Sequence, residues 1–371
     1  MNILINACNL SGGGGGQVCD SICRYLKDYS RHKFFVVLSK ALDNTAEAIK
    51  EYPNVKVIRY SVPGGSIRAL ITFRNKFLDK LVSDNFIDCV FTVFGPIKWR
   101  PRCPHICGFG LSHIVMPESP YFQKLKVKER LIWWKTITIW KYIFRRSADI
   151  LITENPLITE RLQTLYPNKK VVTITNNYNQ VFDQKENQKV RKLPEFDGIS
   201  LLSIATPYPH KNLQITVEVA KLLKIQRPNF HFRFVVTVEE RNFYPLPDEL
   251  KPHFLFLGKV DINECPSLYE QCDINFVPTL LECFTATYPE AMRMRKPIIT
   301  TDLAFARGLC GNAALYYESI NAQVAVNRIL QLVDNNELQQ ELVTNGIKEL
   351  EKFDTSSMRA AKVIQMCENY R

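Results

Sequence analysis

The chain has 371 residues, is 46% hydrophobic and 23% charged, and carries a formal net charge of +11 at pH 7. That length allows two or three domains with ample cores, and the composition is that of a folded protein rather than a disordered or fibrous one. No apolar run approaches the ~18 residues that span a bilayer, no basic leader precedes the first apolar run, and the eleven cysteines form no Cys-x-x-Cys pair. Integral-membrane, secreted and zinc-finger classes are set aside, and the cysteines are expected as free thiols in the cytoplasm.

The charge is uneven. Residues 1–180 hold 26 Lys and Arg against 13 Asp and Glu, giving +13, whereas residues 181–371 hold 22 against 24, giving −2. The first half is therefore expected to face something anionic.

In chain order, residues 2–7 read as a strand, followed by a glycine-rich turn over 11–16 and a helix over 17–29. Strands are expected at 34–38 and 55–58, a helix at 65–83, and strands at 87–94 and 104–107. Strand, glycine turn, helix, strand is the opening of a doubly wound domain. The run containing Gly14, Gly15 and Gly16 lets backbone N–H groups approach a phosphate. Gln17-Val18 stands where a Walker loop needs Lys-Ser/Thr, and Gln17 stands where the dinucleotide fingerprint needs its third glycine. His113 follows the strand at 104–107 in a loop.

Residues 121–147 combine eight Lys and Arg with a single acid and three of the four tryptophans. Trp133, Trp140 and Phe144 share helical spacing, so one basic, aromatic amphipathic helix is expected, suited to an anionic membrane surface through residues 121–146. A strand at 148–153, a helix to about 166 and a strand at 171–175 complete the first domain, and the polar stretch 183–196 reads as a linker.

The second half restarts the same grammar. A strand at 199–204, a loop at 205–212 and a helix to about 224 lead to strands at 232–238 and 254–257, then the turn Gly258-Lys259-Val260. A short helix at 265–271 and a buried strand at 273–277 precede a loop holding Glu282, Phe284 and Thr285. A helix is expected from about Tyr288, then a strand at 297–300, helical sequence over 320–351 and a last helix over 356–370. The loop after 277 lies at the carboxyl end of a strand, where open parallel sheets bind ligands. A helix start there offers N–H groups to an anion, and Glu282 and Glu290, eight positions apart, could accept hydroxyls on either side of it. Hydroxyls flanking a diphosphate describe a nucleotide-sugar. Thr287 and Glu290 also have the spacing of a capping box, a purely structural use of the same glutamate.

These pieces, in order, resemble family 4 of the retaining GT-B glycosyltransferases, the glycosyl transferases group 1. The likeness rests on the glycine loop, Asn176-Asn177-Tyr178-Asn179, Pro209-His210-Lys211-Asn212, Phe256-Leu257-Gly258-Lys259-Val260, the Glu-x7-Glu segment and Gly311-Asn312-Ala313-Ala314-Leu315-Tyr316. It implies an α/β GT-B fold: two Rossmann-like doubly wound domains facing a central cleft. The first spans residues 1–182 and takes the acceptor; the second spans 197–352 and takes the donor; a C-terminal helix of about 356–371 returns to the first.

The resemblance also implies roles. Glu282 would bind the donor sugar, Glu290 the ribose, Lys211 the diphosphate, and the Phe284 and Thr285 N–H groups the same phosphates. The base would lie by Lys259 and Val260, and His113 would stand on the acceptor side. Thr206 stands where the family often has an arginine. No metal or cofactor is expected, since no Asp-x-Asp pair occurs in the chain. The expected reaction is hexose transfer from a UDP- or GDP-linked donor to a saccharide acceptor, lipid-linked in surface polysaccharide assembly such as O-antigen. A sugar-nucleotide epimerase of the same fold is one alternative. A basic nucleic-acid-binding protein is another, although no nucleic-acid module appears.

Overall fold

The computed structural model describes residues 1–62 and 67–370. The chain forms two compact units: residues 1–117, 126–176 and 354 onward make the first, and residues 118–125 and 177–353 the second.

In the first unit, β1 (Asn2–Ala7), β2 (Lys33–Leu38), β3 (Val55–Arg59), β4 (Cys89–Thr92), β5 (His105–Gly108), β6 (Ile150–Thr153) and β7 (Lys170–Thr173) form one sheet in the order β3-β2-β1-β4-β5-β6-β7. Every pairing is parallel. Parallel strands need cover on both faces, so they read as near-continuous apolar runs. Ile3, Ile5 and Ala7 pack with Val18, Ile22 and the C-terminal helix residues Ala360, Val363 and Ile364. Leu4 and Cys8, pointing the other way by the two-residue period of a strand, pack with Leu78, Ile97 and Trp99. The C-terminal helix Ser356–Asn369 is also held by a buried ion pair, Arg359 to Glu154 at 2.6 Å.

In the second unit, β8 (Ile199–Ser203), β9 (Phe232–Val236), β10 (Phe254–Phe256), β11 (Ile274–Val277), β12 (Ile298–Thr301) and β13 (Ala314–Tyr317) run β10-β9-β8-β11-β12-β13, again all parallel. Leu201, Phe234, Phe276 and Ile299 form its core with Val219, Leu223, Val326 and Ile329. Two Rossmann-like sheets of this kind constitute the expected α/β fold.

Several local expectations are corrected. The glycine run is not a loop before a helix. The helix Gly13–Cys23 starts inside it, because Gly12 and Gly13, at φ of 96° and 62°, make the turn that lets Gly14, Gly15 and Gly16 enter the first helical turn. The helix expected at 65–83 divides into Ile67–Thr72 and Lys76–Asp84; Phe73 has φ 51°, and Asn75 caps the second piece by accepting from the N–H groups of Phe77 and Leu78. Residues 65 and 66 of that expectation lie outside the described residues.

The basic stretch is likewise two helices, Pro120–Gln123 and Val127–Ser147. The first belongs with the second unit, so the chain crosses between units before returning at 126. The first unit's middle segment closes at 176 rather than 182. Residues 183–196 are strapped down rather than a loose linker: the Arg191 N–H donates to Ser267 Oγ at 3.0 Å and the Leu193 N–H to Gln271 Oε1 at 2.9 Å. The helical sequence at 320–351 is broken at Asn335, whose side chain caps Asn336–Leu350 by accepting from the Leu338 N–H.

Candidate active site

In the second sheet the strand order reverses between β8 and β11, so the chain leaves these neighbours in opposite directions and a crevice opens beyond their carboxyl ends. Two loops meet there. The loop after β8 makes a short turn at Pro209–Lys211, ended by Asn212 in the left-handed region at φ 54°. Its His210 carbonyl accepts from the Leu280 N–H at 2.8 Å, which ties it to the loop after β11.

That tie sets Lys211 opposite Glu282. The Lys211 ammonium donates to Glu282 Oε1 in a close ion pair, and Thr279 Oγ1 donates to the same oxygen at 2.9 Å. The Lys211 and Glu282 side chains are 18% and 11% exposed, so screening is reduced and each charge holds the other in place. The crevice lined by Ser203, Ala205, Lys211, Thr279, Thr285 and Thr287 has a volume of about 10 Å³, room for about one water.

Glu290 sits deeper, on the helix Thr287–Arg293, and it does not form the expected capping box. Ala286 is the N-cap and makes no side-chain cap bond. Thr287 Oγ1 instead pairs with Thr285 Oγ1 at 3.1 Å, and Glu290 Oε2 accepts from the Tyr269 hydroxyl at 3.0 Å. Burial pushes the Glu290 carboxyl up to about 7, the Tyr269 bond opposing the shift. A carboxyl poised near neutrality is a group that a ligand's hydrogen bonds can switch.

The other expected residues fall in different places. Phe284 is half-buried against Phe353, ring centroids 5.9 Å apart, and Thr206 is exposed. Lys259 is exposed and Val260 half-buried after the edge strand β10. Gly14, Gly15 and Gly16 lie in the first unit; a side chain at Gly14 would meet nothing within 4 Å, so packing does not require glycine there. His113, also in the first unit, lies face to face with Trp133 at 4.3 Å and edge-on to Trp140 at 6.4 Å.

Lys124 had been expected among the membrane-facing cations. It belongs to the second unit, where its Nζ donates to Asn212 Oδ1 at 2.7 Å, one residue from Lys211. Desolvation pulls its pKa down. The sequence carried no sign of this contact, nor of the Tyr269 partner, because each pairs residues brought together only by the tertiary fold. Among the described residues no group of three or more His, Cys, Asp or Glu could hold a metal ion.

Known proteins agree with this architecture. Residues 183–349 match the family model described as Glycosyl transferases group 1. An uncharacterized glycosyltransferase of Methanocaldococcus jannaschii is 24% identical over 263 residues, 65% of this chain and 70% of that one. The sucrose-phosphate synthase of Thermosynechococcus elongatus superposes with a TM-score of 0.68 at 15% identity, covering 99% of this chain and 98% of that one. Anabaena HepE, solved in complex with UDP, gives 0.68 at 14% identity over 100% of both chains. The fold is therefore GT-B. The residues of the second unit that match the glycosyl transferases group 1 model include the Lys211–Glu282 pair.

Proposed function

We propose that the protein is a retaining, metal-independent glycosyltransferase that moves a hexose from a UDP- or GDP-linked sugar to a saccharide acceptor. The observation that carries this reading is the Lys211–Glu282 pair at the strand-order reversal of a glycosyl transferases group 1 domain. A nucleotide-sugar presents a diphosphate beside sugar hydroxyls. Lys211 exchanges Glu282 for the diphosphate, and Glu282, released, accepts the sugar hydroxyls. The donor thus replaces one ion pair by two complementary contacts.

The Phe284 and Thr285 N–H groups add donors to the diphosphate, and the glycine-rich helix start is a further set of N–H donors suited to phosphate. Glu290 takes the ribose, the base lies by Lys259 and Val260, Thr206 leaves the usual arginine position without charge, and His113 serves the acceptor side. In the transfer, the acceptor oxygen bonds to the anomeric carbon as the bond to the leaving phosphate oxygen breaks on the same face. The departing phosphate takes the acceptor's proton.

The acceptor is lipid-linked, in assembly of a surface polysaccharide, and the protein works as a peripheral protein on the cytoplasmic membrane face. Support comes from the helix Val127–Ser147, which exposes Leu131, Ile132 and Trp134, the last at 65%, beside Lys128, Arg130 and Lys135. Among the described residues no helix is long and apolar enough to cross a membrane. Cations near an anionic surface gain roughly 1 kcal/mol each.

The test is release of UDP or GDP from a panel of nucleotide-sugars, with and without saccharide acceptors, in EDTA. Acceptor-dependent release is expected; donor interconversion without release would make the protein an epimerase. Co-sedimentation with liposomes of rising anionic content checks the membrane part. Changing Lys126, Lys128, Arg130 and Lys135 to Ser should abolish it, and binding that ignores lipid charge would overturn it.

A further inference from the structure

The first sheet has its own strand-order reversal, between β1 and β4, and a cavity of about 730 Å³ lies there. Asn9, which follows β1, Tyr60, which follows β3, and residues 96–99, which follow β4, form part of its wall. The volume is that of a small-molecule site, and the position is where a doubly wound sheet takes ligands.

Arg68, Arg74, Lys76 and Lys98 line this cavity, and among the described residues no carboxylate does. Asp79 compensates only one of them, bonding Arg74 Nε at 3.0 Å while also accepting from Trp99 Nε1 at 3.0 Å. Arg68, Lys76 and Lys98 make no ion pair among the described residues. The start of the helix Lys76–Asp84 is already satisfied by its own Asn75 cap, so the anion-attracting groups here are side chains rather than helix N–H groups.

An independent observation concerns a different kind of group. Asn9 Nδ2 donates to the Phe94 carbonyl at 2.8 Å, which fixes the carboxamide and leaves its Oδ1 buried without a hydrogen-bond partner among the described residues. A buried acceptor of this kind calls for a hydroxyl or N–H donor. Tyr60 and Phe77, stacked with centroids 4.2 Å apart, add an aromatic surface to the same cavity.

Uncompensated cations, an orphan acceptor and an aromatic wall describe one ligand chemistry: a sugar bearing an anionic group. We propose that this cavity is the acceptor site and that the acceptor is an anionic saccharide. Its phosphate or carboxylate sits among Arg68, Lys76 and Lys98, and a sugar hydroxyl donates to Asn9 Oδ1. Calling the ligand an acceptor rests on the glycosyltransferase reading; its anionic saccharide chemistry does not.

The experiment uses the full chain and calorimetric titration with glucose 6-phosphate, methyl glucuronide and methyl glucoside, at low and high salt, with UDP as the control ligand. The two anionic sugars should bind about tenfold or more tighter than the neutral one, and the advantage should shrink as salt screens the charges. The preferred anionic sugar distinguishes a phosphate from a carboxylate. Arg68→Gln and Lys98→Gln, both at solvent-accessible positions, should each weaken anionic-sugar binding by about threefold to tenfold and leave UDP affinity and melting temperature unchanged. Asn9→Leu should weaken all three sugars alike. Neutral and anionic sugars binding equally, or affinities unmoved by both charge changes, would overturn the proposal. Loss of nucleotide-sugar turnover with every donor, while anionic sugars still bind, would keep the anionic-saccharide site and remove the transferase reading instead.

Discussion

The two strand-order reversals differ in how they handle charge. In the second unit the crevice is small, and its cation and carboxylate neutralise each other across two tied loops. In the first unit the cavity is open, and its cations outnumber the one carboxylate behind them. A self-paired site is stable when empty, and its ligand must supply both partners of the broken pair. An uncompensated site stores like-charge repulsion, which an anion relieves on binding. On the proposed readings, the same topology therefore gives one site that takes a phosphate beside neutral hydroxyl donors, and another that attracts anions directly.

The strongest way to break this contrast is Lys211→Ala. It leaves Glu282 without its cation and removes the charge meant for the diphosphate. Turnover should fall by roughly 10²- to 10³-fold, with weaker UDP binding, as measured by nucleotide release and titration. Activity within about twofold of the parent would dissociate the pair from catalysis. In Glu282→Gln, turnover should drop much more than UDP affinity, because the proposed contact is to the transferred sugar. Equal losses would reassign the residue.

Next in size is the buried carboxyl. The folded-state value of Glu290, about 7, lies above its ordinary 4.5. Below that ordinary value both states are protonated and there is no penalty. Between about 4.5 and 7 the unfolded chain ionises first, so stability falls as pH rises and levels off above 7. The cumulative cost is about 3 kcal/mol. Glu290→Gln should remove this slope, raising the melting temperature at pH 8 relative to the parent and changing it little at pH 4. A parent whose stability is flat between pH 5 and 7 would contradict the assignment. Nucleotide affinity in the same variant tests the ribose contact separately.

Lys124→Met should cost about 1 kcal/mol through the lost bond to Asn212. If Lys124 supports the phosphate side of the donor site, UDP affinity falls several-fold as well; unchanged affinity would leave it a brace for the crossing segment. The smallest effect is expected from Gly14→Ala. No atom lies within 4 Å of the added carbon, and the helical position favours alanine by about 0.5–1 kcal/mol. Stability should rise slightly while donor turnover declines, if phosphate approaches that backbone. A stabilised variant with full activity would return the glycine run to the role of a helix-opening turn.

The sequence by itself determined the repeated alternation of strand and helix. The run at residues 34–38 is apolar on both faces, and only a covered parallel sheet accepts it. It also marked Glu282 and Glu290, in the loop and helix start that follow a strand, whereas Lys211 was marked only through the family resemblance. It missed β13 within the segment it had singled out at 311–316, because a four-residue half-buried strand has too little period to read. Only the tertiary structure decided what the marked residues touch. The Thr287–Glu290 spacing fits a capping box, yet Tyr269, eighteen residues upstream of Thr287, takes the glutamate instead. Residues 121–147 carry one continuous helical pattern, but the chain breaks at 124–126 so that residues 118–125 can join the second unit and set Lys124 on Asn212. The orphan oxygen of Asn9 and the unpaired cations of the same cavity depend on the sheet bringing the ends of β1, β3 and β4 to one edge. Periodicity reports which face of an element is covered; it holds no information about which distant side chain does the covering.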